Sequence, residues 1–107
     1  MNKYAVKISD EAFSDIEKIY DYIANDLKSP DNAKSQYTKI SEGILSLNSF
    51  PNRFPMFDAE PEHSWGMRFM RIGNYLVCFI VDSDTVTVTD VIYGASDVHF
   101  RLGERHP

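Results

Sequence analysis

The sequence has little of what marks several specialised protein classes. Cys78 is the one cysteine among 107 residues, so an intramolecular disulfide is excluded. Its place in an apolar stretch predicts a buried thiol that packs as a small hydrophobic group. His63, His99 and His106 do not have the spacing of metal ligands, and the chain lacks a glycine-rich phosphate loop and a G-x-S-x-G motif. We therefore predict no metal site and no cofactor.

Long apolar segments and an excess of positive charge are also missing. No apolar run approaches the roughly 20 residues of a membrane span, and the N-terminus enters an alternating pattern without the apolar core of a signal peptide. These features predict a cytoplasmic protein without a membrane partner. The 11 basic and 16 acidic residues give a formal net charge of -5, which weighs against broad electrostatic capture of nucleic acid. A local basic patch is still compatible with this balance.

What is present fits one globular domain with a strand and a helix at its start. The chain is 43% hydrophobic and 25% charged, close to soluble averages, and its length predicts a single core over residues 1–107. Residues 3–8 alternate with the two-residue period of a half-buried strand. Ser9 is a suitable N-cap, and apolar residues then recur every three or four positions up to Leu27, with Asp15 expected on the polar side.

A second helix and a long loop follow. Ser29 and Pro30 have the pattern of an N-cap and a first helical position, ahead of an apolar stripe that ends at Leu47. The two helices are expected to form a hairpin. Residues 48–64 contain three prolines and three phenylalanines, which suit neither a helix nor a strand. We predict a packed surface loop with a functional role or, equally, a simple crossover connection.

The last third of the chain predicts a three-stranded antiparallel meander. The strand-like runs Met67–Ile72, 75–81 and Thr85–Tyr93 are separated by turn-forming residues at Gly73-Asn74 and at 82–84. The first strand is expected to join an edge of this sheet, with the two helices covering one face. The fold class is therefore α+β. The other sheet face is expected to stay open, with apolar side chains of residues 75–81 exposed to a partner.

Two arginines and a polar C-terminal segment are the candidates for chemistry. Arg68 and Arg71 point to opposite faces of one strand, so one of them could hold a phosphate or carboxylate, and the alternative is a solvated surface residue. Tyr93 ends the last strand, and Asp97, His99 and Arg101 follow it closely. Such residue types can perform acid-base work, although the role we favour for Asp97 is capping of a short helix.

Several segments, in this order and spacing, resemble the RelE/ParE superfamily of toxins from type II toxin-antitoxin systems, also called the plasmid stabilisation protein family. The resemblance covers residues 4–101. The similar segments are residues 19–24, Ser29-Pro30, Ala33 and residues 44–51 in the hairpin, and Gly66-Met67-Arg68, residues 73–77, residues 91–94 and Asp97 in and after the sheet.

The resemblance implies a toxin that inhibits growth and is neutralised by a cognate antitoxin. It also implies a target, which in this superfamily is either DNA gyrase or ribosome-bound mRNA. Arg68 matches the arginine of the family's Gly-x-Arg motif, and Tyr93 stands where many members have histidine or tyrosine before glycine. If the protein is a nuclease, Arg68, Tyr93 and Arg101 are its catalytic candidates.

Departures from the family pattern favour the gyrase-directed branch. Ile80 stands where many members have an arginine in the middle strand, and Ala95 and Ser96 stand where arginines commonly follow the glycine. Because oriented positive charge is worth several kcal/mol at a phosphate transition state, these replacements disfavour mRNA cleavage unless Arg71 or Arg101 substitutes. We therefore predict a non-cleaving ParE-like toxin. The alternatives are a RelE-like ribosome-dependent mRNA endonuclease and an inert relative that retains antitoxin binding.

Overall fold

The architecture combines a four-stranded sheet with a helical hairpin. A computed structural model describes residues 3–94 and Leu102. Its strands and helices are, in chain order, β1 (Ala5–Ile8), α1 (Asp10–Asp21), α2 (Pro30–Leu45), β2 (Met67–Ile72), β3 (Tyr75–Asp82) and β4 (Thr85–Tyr93). The sheet order is β1-β4-β3-β2, with β1 parallel to β4 and the other pairs antiparallel. The predicted α+β fold, with the first strand at the edge of a meander, is confirmed.

The two helices begin differently although a serine precedes each one. The Ser9 hydroxyl accepts a hydrogen bond from the Ala12 amide at 3.1 Å, as an N-cap does, and donates one to the Thr89 carbonyl at 3.1 Å. It therefore joins the start of α1 to β4. Ser29 precedes α2, and Pro30 occupies the first helical turn, but the Ser29 side chain makes no capping hydrogen bond. Ser29 is therefore the N-cap residue of α2, as the sequence predicted, but it caps without a side-chain hydrogen bond.

The end of α1 widens into a π-helical turn. The apolar pattern predicted one helix up to Leu27, whereas α-helical bonding stops at Asp21 and a π turn spans Tyr22–Asp26. Within this turn Ile23 is buried and Tyr22 is exposed, and Leu27, which directly follows the turn, is also exposed. π turns of this kind occur often at functional sites. No helix within residues 3–94 has the length and hydropathy needed to span a bilayer.

The loop between α2 and β2 packs against the edge of the sheet. Short 3-10 turns begin residues 48–64, and Met56 then forms an isolated antiparallel bridge with Arg68. The Phe57 amide donates to the Met67 carbonyl at 3.1 Å. The packed loop that the sequence predicted is therefore present, and it partly covers the outer edge of β2.

Both faces of the sheet are covered, which corrects the expectation of an open face. On the helix side a core joins α1 and α2 to the inward residues of the sheet, including Phe79. On the far side Leu76, Cys78 and Ile92 are buried with Leu102, and Trp65 packs against them. Residues 75–79 are all buried, so the apolar side chains expected to be free there are not free. The far-side cluster consists of Met67, Leu76, Cys78, Ile92 and Leu102, with Phe57, Trp65, Phe69 and Ile80 beside it.

A bulge in β4 explains an unexpected buried carboxylate. The register shifts between Cys78 and Phe79, whose β4 partners are Asp90 and Val88, so Thr89 is the extra residue on β4. Val91 therefore turns toward the helices. Asp15 from α1 accepts a hydrogen bond from the Val91 amide at 2.9 Å and is 6% exposed. The prediction that Asp15 lies on the solvent-exposed side of α1 is wrong, because its carboxylate faces β4 and accepts the hydrogen bond of the Val91 amide.

Candidate functional site

Arg68 fastens the loop to the sheet. Strand alternation places its side chain on the helix-side face with Met70, and Arg71 on the opposite face, as the sequence predicted. The Arg68 Nη1 donates to the Phe54 carbonyl at 2.7 Å and to the Asn52 carbonyl at 3.3 Å. Both carbonyls belong to the loop before β2. A guanidinium used in this way has fewer N–H groups left for a phosphate.

Tyr93 lies at a distant corner of the same sheet. Its side chain is 59% exposed, and its ring meets the Tyr75 ring edge to face with centroids 5.4 Å apart. Tyr93 pairs with Tyr75 of β3, and Tyr75 pairs with Ile72 of β2. Arg68 precedes Ile72 by four residues, so it lies two strands across the sheet and four residues along β2 from the position level with Tyr93. Strand geometry then separates the Arg68 and Tyr93 backbones by about 16 Å. The structure does not bring these two candidates together.

Of the remaining candidates, the structure describes only His63. Asp97, His99 and Arg101 lie outside the described residues. His63 is exposed and its Nδ1 lies 2.9 Å from the Phe57 carbonyl oxygen, a contact within the loop. Among residues 3–94 and 102, no three histidine, cysteine or acidic side chains are grouped as metal ligands would be.

Tyr93 borders a cleft of about 580 Å³ that we call the tyrosine cleft. The π turn forms one wall of this cleft, and the end of β4 with the β2–β3 turn forms the other. Its position follows from the fold, because α1 ends and α2 begins above the strand ends that hold Tyr75 and Tyr93. The lining residues are Lys18, Ile19, Tyr22, Ile23, Leu27, Asn32, Gln36, Asn74, Tyr75 and Tyr93.

The described groups of the tyrosine cleft suit the binding of a partner. Burial, and then the neighbouring Tyr93 and Tyr22, raises the pKa of Tyr75, so its hydroxyl stays protonated at neutral pH. Among the lining residues that the structure describes, Lys18 carries a formal charge. The Gln36 Nε2 is buried and has no hydrogen-bond partner within the described part of the chain. The described lining residues thus offer aromatic surface, amide donors and one cation.

Sequence reasoning missed several residues of this cleft. Tyr22 lies outside the apolar stripe of α1, and a large aromatic residue off the stripe is the signal that could have marked it. Leu27 was assigned to the buried stripe, but the π turn leaves it 56% exposed. No sequence pattern distinguishes Gln36, because its importance comes from the burial of its side-chain amide, which only the folded structure shows.

Comparison with known proteins identifies the family. The model of the ParE toxin of type II toxin-antitoxin systems, parDE, matches residues 6–98. The chain belongs to the ParE toxin family. No curated protein sequence matches it significantly.

Solved structures agree with this family fold. The chromosomal ParDE toxin-antitoxin system from P. aeruginosa is similar with a TM-score of 0.72 and 20% identity, over 87% of this chain and 98% of that chain. The RelBE2 toxin-antitoxin complex from Mycobacterium tuberculosis has a TM-score of 0.63 and 21% identity, over 90% and 97%. The YoeB dimer from Staphylococcus aureus has a TM-score of 0.59 and 16% identity, over 87% and 99%. At these identities the likeness shows the shared fold of this ParE-family toxin.

Proposed function

We propose that this ParE-family toxin is a non-cleaving inhibitor that binds DNA gyrase in the cytoplasm. Bound gyrase arrests growth, and a cognate antitoxin neutralises the toxin, which gives the pair its stabilising effect on the replicon that carries it. The proposal makes the protein a binding module with no cofactor or metal.

The engagement of Arg68 carries this proposal. An mRNA endonuclease needs donors that converge on one phosphate and a group that moves the proton of the attacking hydroxyl. Here the Arg68 guanidinium donates hydrogen bonds to the carbonyls of Asn52 and Phe54. The backbones of Arg68 and Tyr93 are about 16 Å apart. Ile80, which stands in place of a family arginine, packs against the far-side cluster. The described residues therefore do not assemble a phosphate site.

The tyrosine cleft supports binding of a protein target. Tyr22 and Tyr93 are both more than half exposed, and tyrosines supply large contact area at a low cost in side-chain entropy. The buried Gln36 amide can be satisfied by a carbonyl or carboxylate that enters the cleft. We assign this cleft to contact with gyrase.

An antitoxin partner is supported by the family and by its structural relatives. The ParE family is named for toxin-antitoxin pairs, and the similar P. aeruginosa and M. tuberculosis structures are of such pairs. For this chain we extend the same arrangement to a dedicated antitoxin.

A supercoiling assay tests the gyrase target. Purified folded toxin should inhibit DNA supercoiling by gyrase, and Tyr93→Ala should weaken that inhibition while Arg71→Ala leaves it unchanged. Undiminished gyrase activity at a large excess of toxin would overturn the proposal. If the soluble protein also accumulates in cells without arresting growth, the conclusion is that the protein is an inert relative that retains antitoxin binding.

The second candidate is ribosome-dependent mRNA cleavage, which is favoured by the exposed Tyr93 side chain at the end of β4. Primer extension on mRNA from cells that express the toxin distinguishes the two functions. New 5′ ends within codons would establish cleavage. Growth arrest without such ends supports the gyrase-directed function.

A further inference from the structure

The side-chain amide of Gln36 indicates what the tyrosine cleft binds. Gln36 lies in the first half of α2, and within the described part of the chain no atom accepts a hydrogen bond from its buried Nε2. The amide lies against the β2–β3 turn, since a Cβ placed on Gly73 would be 3.7 Å from the Gln36 Oε1. A buried donor without an acceptor is unfavourable, because folding removes it from water and no other hydrogen bond replaces the lost one. A ligand with an acceptor would remove this cost.

The Gln36 amide can reach a ligand by a small rotation. Gln36 is half-buried and lines the cleft, so part of its side chain faces the open volume. The terminal torsion of a glutamine side chain is soft and has no sharply preferred angle. The Nε2 group can therefore turn toward an acceptor that enters the cleft and form the missing hydrogen bond.

The charge of the cleft favours an anionic acceptor. Among the described lining residues, the formal charge is that of Lys18, which is exposed. The chain as a whole has a net charge of -5, so this cation is a local exception to its balance. A carboxylate would satisfy both the Gln36 donor and the Lys18 charge, whereas a neutral carbonyl would satisfy the donor alone.

Exposed aromatic and apolar side chains flank these polar groups. Tyr22 in the π turn and Leu27 directly after it are both more than half exposed on one wall, as is Tyr93 on the other. Tyrosine rings supply large contact area and pack well against apolar side chains. The cleft therefore suits an acidic side chain that has apolar neighbours in its own segment.

We propose that the tyrosine cleft receives an aspartate or glutamate of DNA gyrase, whose carboxylate accepts a hydrogen bond from the Gln36 amide and is drawn in by Lys18. Apolar neighbours of that acidic residue pack between Tyr22 and Tyr93. The inference rests on the proposed function, because it presupposes gyrase as the target, and it adds the chemistry by which the target is recognised.

A protein segment fits this cleft better than the DNA that gyrase carries. Sites for nucleic acid place several basic residues along the phosphate backbone. Here the described lining supplies Lys18 as its cation, and the net charge of the chain is negative. One cation beside a buried amide donor matches a single carboxylate.

Gln36→Met separates a binding role from a structural one. Methionine has a similar length and no donor, so the variant should melt several degrees above wild type, because the unpaired buried amide is gone. The same variant should need at least tenfold more toxin to inhibit supercoiling by purified gyrase. Thr38→Met is the matched control, since it places the same side chain at an exposed position of α2 that does not line the cleft. It should inhibit as wild type does.

Lys18→Gln supplies an independent test of the charge. Interferometry with immobilised toxin and purified gyrase should show binding at least fivefold weaker at 50 mM salt, and a smaller difference at 200 mM salt, because salt screens exposed charges. Lys39→Gln makes the same charge change at an exposed residue of α2 outside the cleft, and it should alter affinity less than twofold.

The outcomes distinguish the inference from the proposed function. If wild-type toxin neither binds nor inhibits gyrase, the proposed function fails and the inference fails with it. If wild type inhibits and both Gln36→Met and Lys18→Gln inhibit equally well, the carboxylate site alone is overturned. A melting temperature of Gln36→Met below that of wild type would make Gln36 a structural residue and would also overturn it. So would a gel shift of DNA by toxin without gyrase that Lys18→Gln abolishes, because nucleic acid would then occupy the cleft.

Discussion

At the scale of single residues, buried polar groups in this toxin join segments that are far apart in the chain. Asp15 and Val91 are 76 positions apart, yet the carboxylate of one accepts the backbone amide of the other at 2.9 Å. The bulge at Thr89 turns Val91 toward the helices, and Asp15 is placed to satisfy its amide. A carboxylate in the middle of α1 thus stabilises an irregularity in β4.

Asp15→Ala should destabilise the fold by about 2 kcal/mol, because the buried Val91 amide would lose its acceptor. Asp15→Asn should cost less, since an amide oxygen can still accept the bond. Urea unfolding monitored by circular dichroism measures both changes. The control is Asp21→Ala at an exposed position of the same helix, which should fall within about 0.5 kcal/mol of wild type. Equal effects of Asp15→Ala and Asp21→Ala would contradict this account of the bulge.

Tyr75 gives the toxin a pH dependence in the alkaline range. Burial, with smaller effects from Tyr93 and Tyr22, raises the pKa of Tyr75, while a tyrosine in the unfolded chain ionises near pH 10. The unfolded state therefore loses this proton first, so the free energy of unfolding should fall as pH rises above about 10 through the folded-state pKa. Tyr75→Phe should show a smaller fall in urea midpoints between about pH 9 and 11. Identical falls in both proteins would refute the effect.

At the scale of secondary structure elements, the two helix starts form a natural comparison. Ser9 caps α1 and also donates to the Thr89 carbonyl, whereas Ser29 makes no side-chain cap on α2. Ser9→Ala should lower stability by about 1 to 2 kcal/mol. Ser29→Ala should change stability by less than about 0.5 kcal/mol. Thermal and urea unfolding of the two variants provide the measurement, and a larger loss at Ser29 would invalidate the assigned roles.

The elements themselves were predictable because their signals are local. Turn residues at Gly73-Asn74 and 82–84 delimit the meander, and β2 and β4 begin and end where the sequence predicted. Gly73 and Ser83 both have positive φ, as tight hairpin turns require. These features need no knowledge of distant segments.

The candidate site was less predictable because it depends on register and depth. Arg68 had the family motif, but its contact with the Phe54 carbonyl depends on how a loop 14 residues away folds back on β2. The π turn that exposes Tyr22 and Leu27 interrupts a pattern that otherwise continues as a helix. The sequence pattern therefore singled out Tyr93 as a candidate but did not predict the other residues that line its cleft, such as Tyr22 and Gln36.

At the scale of the whole molecule, the covered sheet determines where partners can bind. The loop before β2 and Leu102 bury the far face of the sheet, whereas the tyrosine cleft leaves Tyr22, Leu27 and Tyr93 exposed. The tyrosine cleft therefore offers a protein partner more exposed aromatic surface than the buried residues 75–79 of the sheet do.

Binding of antitoxin to the folded toxin should raise its melting temperature. A ligand that binds the native state alone stabilises it by about 2.7 kcal/mol at a concentration 100 times its Kd. For a domain near 100 residues that corresponds to roughly 10 to 20 °C. Differential scanning calorimetry with increasing antitoxin measures the shift, and a melting temperature that stays constant at saturation would contradict the pairing.

Two variants of adjacent strand residues extend this melting experiment to the sheet. Phe79 is fully buried against the helices, so Phe79→Asp should unfold the toxin. Ile80 is half-buried beside the far-side cluster, and Ile80→Asp should remain folded at a lower melting temperature. If the antitoxin binds away from the far face of the sheet, saturating antitoxin should raise the melting temperature of Ile80→Asp by as many degrees as in wild type. A shift that is lost in Ile80→Asp would place the antitoxin on that face of the sheet.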